Sequence, residues 1–229
     1  MLVLVVDTST PAVTAALAQV DSRPAAGAEI KVAAQLRTVD ARAHGERLAP
    51  AIDGVLAQAG ASVRDLSAIV AGIGPGPFTG LRVGLVTAAV MAQTLAIPTY
   101  GVCSLDGIGA ATTGVSLAAT DARRHEVYWA VYVDGVRVSS PAVNRPADLT
   151  ELLADVGLAP QAMAGDGAHR YAQVLGLALI DQPRYPEPAE LVRLAASRIL
   201  DGEPADPLTP LYLRRPDAAE PGAPKVVSQ

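Results

Sequence analysis

Apolar residues run unbroken from Leu2 to Val6 and stop at Asp7. A short continuous run of this kind predicts a strand buried on both faces. Val13 to Val20 predicts a second strand, diluted by alanines, and Pro24, Ala25, Ala26 and Gly27 form the expected hairpin tip. Glu29 to Val39 returns as a third strand, alternating at Ile30, Val32, Ala34, Leu36 and Thr38. The period then changes. Leu48, Ile52, Val55, Leu56 and Ala59 fall at helical spacing within Asp40 to Gly60, and Gly60 is a natural stop. Pro50 lacks an N–H, so the helix is expected to begin near it or to kink there after an earlier turn over Ala43 to Leu48. A helical turn at Val63 to Leu66 and a strand at Ala68 to Ile73 lead into a glycine-rich loop. Thr79 to Ala96 then carries Leu81, Leu85, Ala88, Ala89, Ala92 and Leu95 at helical spacing. Gly84 in its middle costs up to ~1 kcal/mol against alanine. Close approach of a neighbouring helix would offset that.

The second half is mixed again. Strands are predicted at Ile97 to Val102, Ser116 to Asp121 and Glu126 to Val133, with Asp134-Gly135 turning a hairpin into Val136 to Ala142. A helix is expected over Ser104 to Thr113, capped by Ser104. Pro146 to Val156 reads as a short helix, Ala162 to Ala164 as a brief strand and His169 to Leu175 as helical. Glu187 to Leu200 is a helix with Ala189, Leu191, Leu194, Ala195 and Ile199 on its apolar face. Leu211 to Leu213 is expected to pack on the body, and 215–229 to form a loose tail. The alternation implies an α/β class. The expected division is an N-terminal lobe at 1–103, a C-terminal lobe at 104–214 and the tail at 215–229. No exact internal repeat is visible, although both halves suit a related mixed sheet.

Composition narrows the picture. Half of the 229 residues are apolar, yet Phe and Trp occur once each. The formal charge is -5, with no Lys or Arg block, which argues against a broad nucleic-acid footprint. Cys103 is the single cysteine, so no intrachain disulfide forms and a reducing cytoplasm is the simplest setting. The apolar start lacks a basic leader, and no stretch approaches the ~20 apolar residues of a membrane span.

Candidate chemistry sits in the turns. Asp7, Thr8, Ser9 and Thr10 follow the first strand, where an acid and hydroxyls suit a metal-bound phosphate; an Asp-led turn bonding its own backbone serves equally. The loop AGIGPGPFTGLRVG, Ala71 to Gly84, lacks the Walker lysine, and Pro75 and Pro77 remove backbone donors, so it is a poor phosphate cradle. Arg82 in the first helical turn opposes the helix dipole unless it has a partner. His44, His125 and His169 are far apart, with no metal-binding i, i+4 pair. Asp121 ends a strand and Asp166 lies between Gly165 and Gly167, so either can complete a cleft with Asp7 or make a turn. From the residues alone two readings stand. One is an ATP- or phosphate-handling enzyme using Asp7, Asp121 and the glycine-rich loops. The other is a binding subunit whose two Ala-rich helices pair with another chain. No convincing base, nucleophile or lysine supports the first.

VVDTST at the start, HGERLAP at residues 44–50, GPGPFTGLRVG at 74–84 and YGVCSLD at 100–106 resemble the bacterial TsaB (YeaZ) family up to about Leu213. That resemblance implies a two-lobed actin-like, sugar-kinase and Hsp70-type (ASKHA) fold with mixed sheets flanked by helices. It implies a non-catalytic subunit in the synthesis of N6-threonylcarbamoyladenosine at position 37 of tRNAs reading codons that begin with A. A separate enzyme makes the threonylcarbamoyl adenylate, the paralogue TsaD transfers the group, and the ATPase TsaE joins the complex. TsaD holds a metal through two histidines four apart; no such pair exists here, so neither metal nor cofactor is expected. Asp7, Thr8, Gly165, Asp166 and Gly167 become possible vestiges of nucleotide contacts. The implied partner interface lies on the helices over 44–60 and 79–96, with His44, Leu48, Ile52, Leu56, Arg82, Leu85 and Ala89. Without TsaD the same face suits a homodimer.

Overall fold

Three antiparallel strands open the chain: β1 (Leu2–Asp7), β2 (Ala12–Arg23) and β3 (Gly27–Val39). The computed structural model describes residues 1–23, 27–155 and 157–214, so the hairpin tip at 24–26, Val156 and the tail at 215–229 lie outside it. There follow α1 (His44–Ala59), a 3₁₀ turn (Val63–Asp65), β4 (Leu66–Gly72), α2 (Phe78–Leu95) and β5 (Thr99–Val102). β4 joins β1 in parallel and β5 joins β4, giving the order β3-β2-β1-β4-β5. Apolar side chains on both faces of β1 and β4 are buried because helices cover both faces of this sheet.

Two details are decided here. The first helix begins at His44 and passes through Pro50, so the start expected near Pro50 is replaced by the earlier turn over Ala43 to Leu48. Glu46, whose carbonyl loses its donor, is exposed like Pro50, so water can serve it. Gly84 is matched by no neighbouring helix: a Cβ there would lie 2.5 Å from Oγ1 of Thr8, in the turn after β1.

The second lobe comprises α3 (Asp106–Gly109), β6 (Val115–Asp121), β7 (Val127–Val133), β8 (Val136–Arg137), β9 (Ala142–Asn144), a 3₁₀ turn (Pro146–Asp148), α4 (Leu149–Asp155), β10 (Ala162–Ala164), α5 (Asp166–Arg170), α6 (Ala172–Leu175) and β11 (Ala178–Leu179). Its sheet order is β8-β7-β6-β10-β11, with β9 also on β7; β6 and β7 are antiparallel, and β10 and β11 run parallel to β6. This is the strand order and direction of the first sheet again. The return strand is split into β8 and β9 because Ser139 Oγ takes the Val131 N–H and Pro141 cannot donate. The helix expected from Ser104 is a single turn from Asp106, without a side-chain cap; Ser104 is engaged elsewhere.

α7 (Pro188–Leu200) crosses back and buries Leu191, Val192, Ala195, Ala196 and Ile199 against the first sheet, on the face opposite α1 and α2. Leu194, expected on that face, is exposed. The strap after α7 runs along β5, where Asp206 N bonds Thr99 O at 2.8 Å and Leu211 N bonds Ile73 O at 2.7 Å. Leu211 and Leu213 pack beside α3 and β7. Helices therefore cover both sheets, and the duplicated order is that of the ASKHA fold.

Candidate functional site

The turn Asp7 to Thr10 is small and polar, and it closes on itself. Asp7 is 2% exposed. Its Oδ1 accepts from Ser9 N at 3.1 Å and Ser9 Oγ at 2.8 Å, and its Oδ2 accepts from Ser104 Oγ at 2.6 Å. Burial raises its pKa, and the bonds from Ser104 and Ser9 act in the other direction. Ser104 in turn accepts from Gly74 N at 3.1 Å and donates its own N–H to Gly74 O at 2.7 Å. The end of β1, the glycine loop and the residues after β5 are thus one knot.

Glycines make the knot possible. A Cβ on Gly72 would lie 1.8 Å from Asp7 Oδ2, and one on Gly76 would lie 2.2 Å from Ser9 O. Thr8 Oγ1 donates to Gly80 O at 2.8 Å and accepts from Gly84 N at 3.0 Å. Those are the two groups that an α-helix bonds to each other, so the hydroxyl is spliced into the α2 ladder. His44 Nε2 donates to Thr10 O at 2.8 Å, beside Gly80.

Gly165, Asp166 and Gly167 form the corresponding approach in the second lobe. A Cβ on Gly165 would meet Ala119 O at 2.2 Å, and one on Gly167 would meet the Thr120 carbonyl carbon at 2.6 Å. Burial pushes the Asp166 carboxyl up to about 7, despite the Asp121 N–H bonding to it. Asp166 Oδ1 and Thr120 Oγ1 are buried without a hydrogen-bond partner among the described residues. Asp121 pairs with Arg170 at 3.2 Å. Cys103 is buried, which pushes its thiol up to about 12 and keeps it unreactive.

A metal of the TsaD type does not fit these side chains. Among the described residues no group of three His, Cys, Asp or Glu is placed to hold an ion. His44 is committed to Thr10, while His169 lies on α5 against Asp181 O at 3.0 Å.

The helices divide the expected interface residues. Leu48, Ile52 and Leu56 on α1 and Leu85 on α2 are buried in the core over the first sheet. Arg82 and Ala89 are on the surface of α2, in a stripe with Phe78 (55% exposed), Val86 (53%) and Val90 (56%). Arg82 lies over the Phe78 ring at 5.0 Å, and Phe78 stacks on Tyr212 of the strap at 5.4 Å. That contact gives Arg82 its partner at the dipole's positive end. Against the expectation that no stretch approaches a membrane span, α2 among the described residues has that length and apolarity, but Leu81, Leu85, Ala88 and Ala92 belong to the core. Phe78, Val86 and Val90 are not evident from spacing, since both sides of α2 are apolar. An 18-residue helix with so few polar positions was the available signal.

The family model for TsaD, described as tRNA N6-adenosine threonylcarbamoyltransferase, matches residues 37–196. An uncharacterized protein of Mycobacterium tuberculosis is 50% identical over 216 residues, 94% of this chain and 93% of the relative. The tRNA threonylcarbamoyladenosine biosynthesis protein TsaB of Escherichia coli is 38% identical over 96 residues, 40% of this chain and 42% of that one. YeaZ from Pseudomonas aeruginosa superposes with a TM-score of 0.71 at 27% identity, covering 93% of this chain and 99% of that chain. With the two-lobed duplication and the knot of glycines at Asp7, these similarities have one conclusion: the chain belongs to the family that the TsaD model describes, in its TsaB (YeaZ) branch.

Proposed function

We propose that this chain is the non-catalytic partner subunit of a TsaD-like paralogue, required when that paralogue transfers threonylcarbamoyl from its adenylate to N6 of adenosine 37 in tRNA. A TsaE-like ATPase and tRNA join through the complex, in the cytoplasm. The observation that carries the reading is the exposed stripe of α2, Phe78, Arg82, Val86, Ala89 and Val90. Contiguous apolar surface on one helix marks a docking face, and Arg and aromatic residues at such a face are the common energetic anchors. His44, Leu48, Ile52, Leu56 and Leu85 support that face from beneath. The same stripe meets its own copy about a twofold axis when the paralogue is absent. We read the chain as two lobes divided near residue 103, with α7 and the strap returning to the first sheet.

The ATP- or phosphate-handling alternative has less behind it. Asp7 and Thr8 have their oxygens engaged within the chain. Asp166 is held against β6 by Gly165 and Gly167. We assign these residues to the scaffold and no catalytic residue to the chain.

Reconstitution tests the reading. TsaD-like paralogue, TsaE-like ATPase, tRNA and threonylcarbamoyl adenylate are mixed with and without this chain. Transfer that requires the chain is the expected result. Transfer at full rate without it, or modification by this chain alone, contradicts it.

A further inference from the structure

Aromatic residues are scarce in this chain, with one Phe, one Trp and six Tyr. Among the described residues two of them are exposed, Phe78 at the start of α2 (55%) and Tyr212 of the strap (43%), and these two stack on each other. Tyr212 sits where the strap passes from the first lobe to the second. On one side of it Leu211 N bonds Ile73 O, and on the other Arg214 bonds Ala122 O and pairs with Glu126. Phe78 begins a helix whose Leu81 and Leu85 are in the core. The backbone of both residues is thus pinned before any partner arrives, which spares part of the ordering cost of binding.

A cavity of about 490 Å³ opens beside the pair. Phe78 and Thr79 line it from the first lobe, Arg123 and Tyr128 from the second, and Tyr212 and Leu213 from the strap. An apolar group seated there touches both lobes at once. The stripe of α2 also needs such an extension. Its five exposed positions form a patch on the order of 400 Å², about half of the ~800 Å² that each partner of a stable complex buries. Towards α1 the neighbouring exposed positions include Glu46, Arg47 and Asp53, which are charged. The apolar continuation of the stripe runs the other way, through Phe78 to Tyr212 and the cavity.

We propose that Tyr212 belongs to the surface that receives the TsaD-like paralogue, and that the paralogue seats an apolar side chain in this cavity against the Phe78 and Tyr212 rings. The partner then touches the strap and both lobes, where α2 alone would give it the first lobe only. Rigid aromatic side chains beside a pocket are the usual energetic anchors of an interface. The proposal rests on the assignment of α2 to that paralogue. The competing occupant is the chain's own segment 216–229, since Arg214 also lines the cavity.

The test measures dissociation rate and affinity between the full-length chain and its TsaD-like paralogue. Tyr212→Ala is expected to weaken binding roughly tenfold, mainly through faster dissociation. Tyr212→Phe keeps the ring and is expected to bind as the wild type does. Thr79→Trp fills the cavity from an exposed position and is expected to weaken binding as much as Tyr212→Ala. Melting of each free variant is read alongside, and if Tyr212→Ala fails to fold, Thr79→Trp decides. No binding by the wild-type chain, or wild-type affinity in a folded Val86→Asp variant, removes the assignment of α2 and the proposal together. Weakened binding in Val86→Asp with wild-type rates in Tyr212→Ala and Thr79→Trp overturns the proposal alone. Tighter binding in Tyr212→Ala, matched by a chain ended after Arg215, gives the cavity to residues 216–229 and likewise overturns it.

Discussion

The first strand of each lobe ends in an aspartate, Asp7 in β1 and Asp121 in β6, and the chain beyond them differs. After Asp7 come Thr8, Ser9 and Thr10, small enough to fold back, with hydroxyls that bond the carboxylate and the α2 backbone. After Asp121 come Ala122, Arg123 and Arg124, whose long side chains leave the turn and line the cleft. The same strand order therefore supports a sealed turn in one lobe and a charged, open one in the other. The flanking helices follow suit. α1 and α2 have 16 and 18 residues, whereas α4, α5 and α6 have 7, 5 and 4. The first lobe is built to present a long rigid face, and the second mainly shapes the cleft beside it.

Where the lobes are alike, substitution should hurt them alike. Gly72→Ala and Gly165→Ala would each place a Cβ within 2.2 Å of a fixed atom, Asp7 Oδ2 or Ala119 O. Each is expected to cost about 3 kcal/mol or more. Denaturant unfolding of both variants checks this, and a mild effect in one alone would break the proposed equivalence of the two approaches.

Where the lobes differ, a buried threonine beside each strand-end aspartate should separate them, Thr8 after Asp7 and Thr120 before Asp121. Thr8→Val removes the hydroxyl spliced between Gly80 and Gly84 and leaves buried groups unserved, an expected loss of about 2 kcal/mol. Thr120 Oγ1 has no partner among the described residues, so Thr120→Val should be neutral or slightly stabilising. Equal losses at the two sites would contradict the sealed and open description.

A pH-dependent effect concerns Asp166. Its folded carboxyl titrates at about 7 against 3.8 for the ordinary group. Between those values the folded chain keeps a proton that the unfolded chain has released, so this group's contribution to stability falls as pH rises through the window. Asp166→Asn stays neutral and removes the slope. Its melting temperature should exceed that of the wild type by several degrees above the window and match it below. Parallel melting curves across that range would show that burial does not control this carboxyl.

Much of this architecture is legible in the chain. The unbroken run of β1 and the glycines around α2 announce themselves through continuity and breakers, which are local signals. The direction of a helix face is not local. Leu194 and Val192 are both apolar and only two residues apart, and only docking on the first sheet turns Val192 inward and Leu194 out. Ser104 looks like a helix cap because its true partner, Asp7, is 97 positions away. Pro50 is tolerated because the carbonyl it deprives lies on the solvent side, which spacing alone does not reveal. At the candidate site, Arg82 and Ala89 could be named from the chain. Phe78, Val86 and Val90 emerged only when the buried side of α2 was known, since almost every position there is apolar.

The central claim is that the exposed stripe of α2 is the surface by which this chain meets its TsaD-like paralogue. Equilibrium affinity between the two full-length proteins, wild type against Val86→Asp, tests it most directly. Val86 is 53% exposed, so the aspartate should leave the melting temperature of the free chain nearly unchanged. Buried in the complex without a partner, the carboxylate should weaken binding by at least about tenfold. Wild-type affinity in a folded Val86→Asp variant would contradict the account.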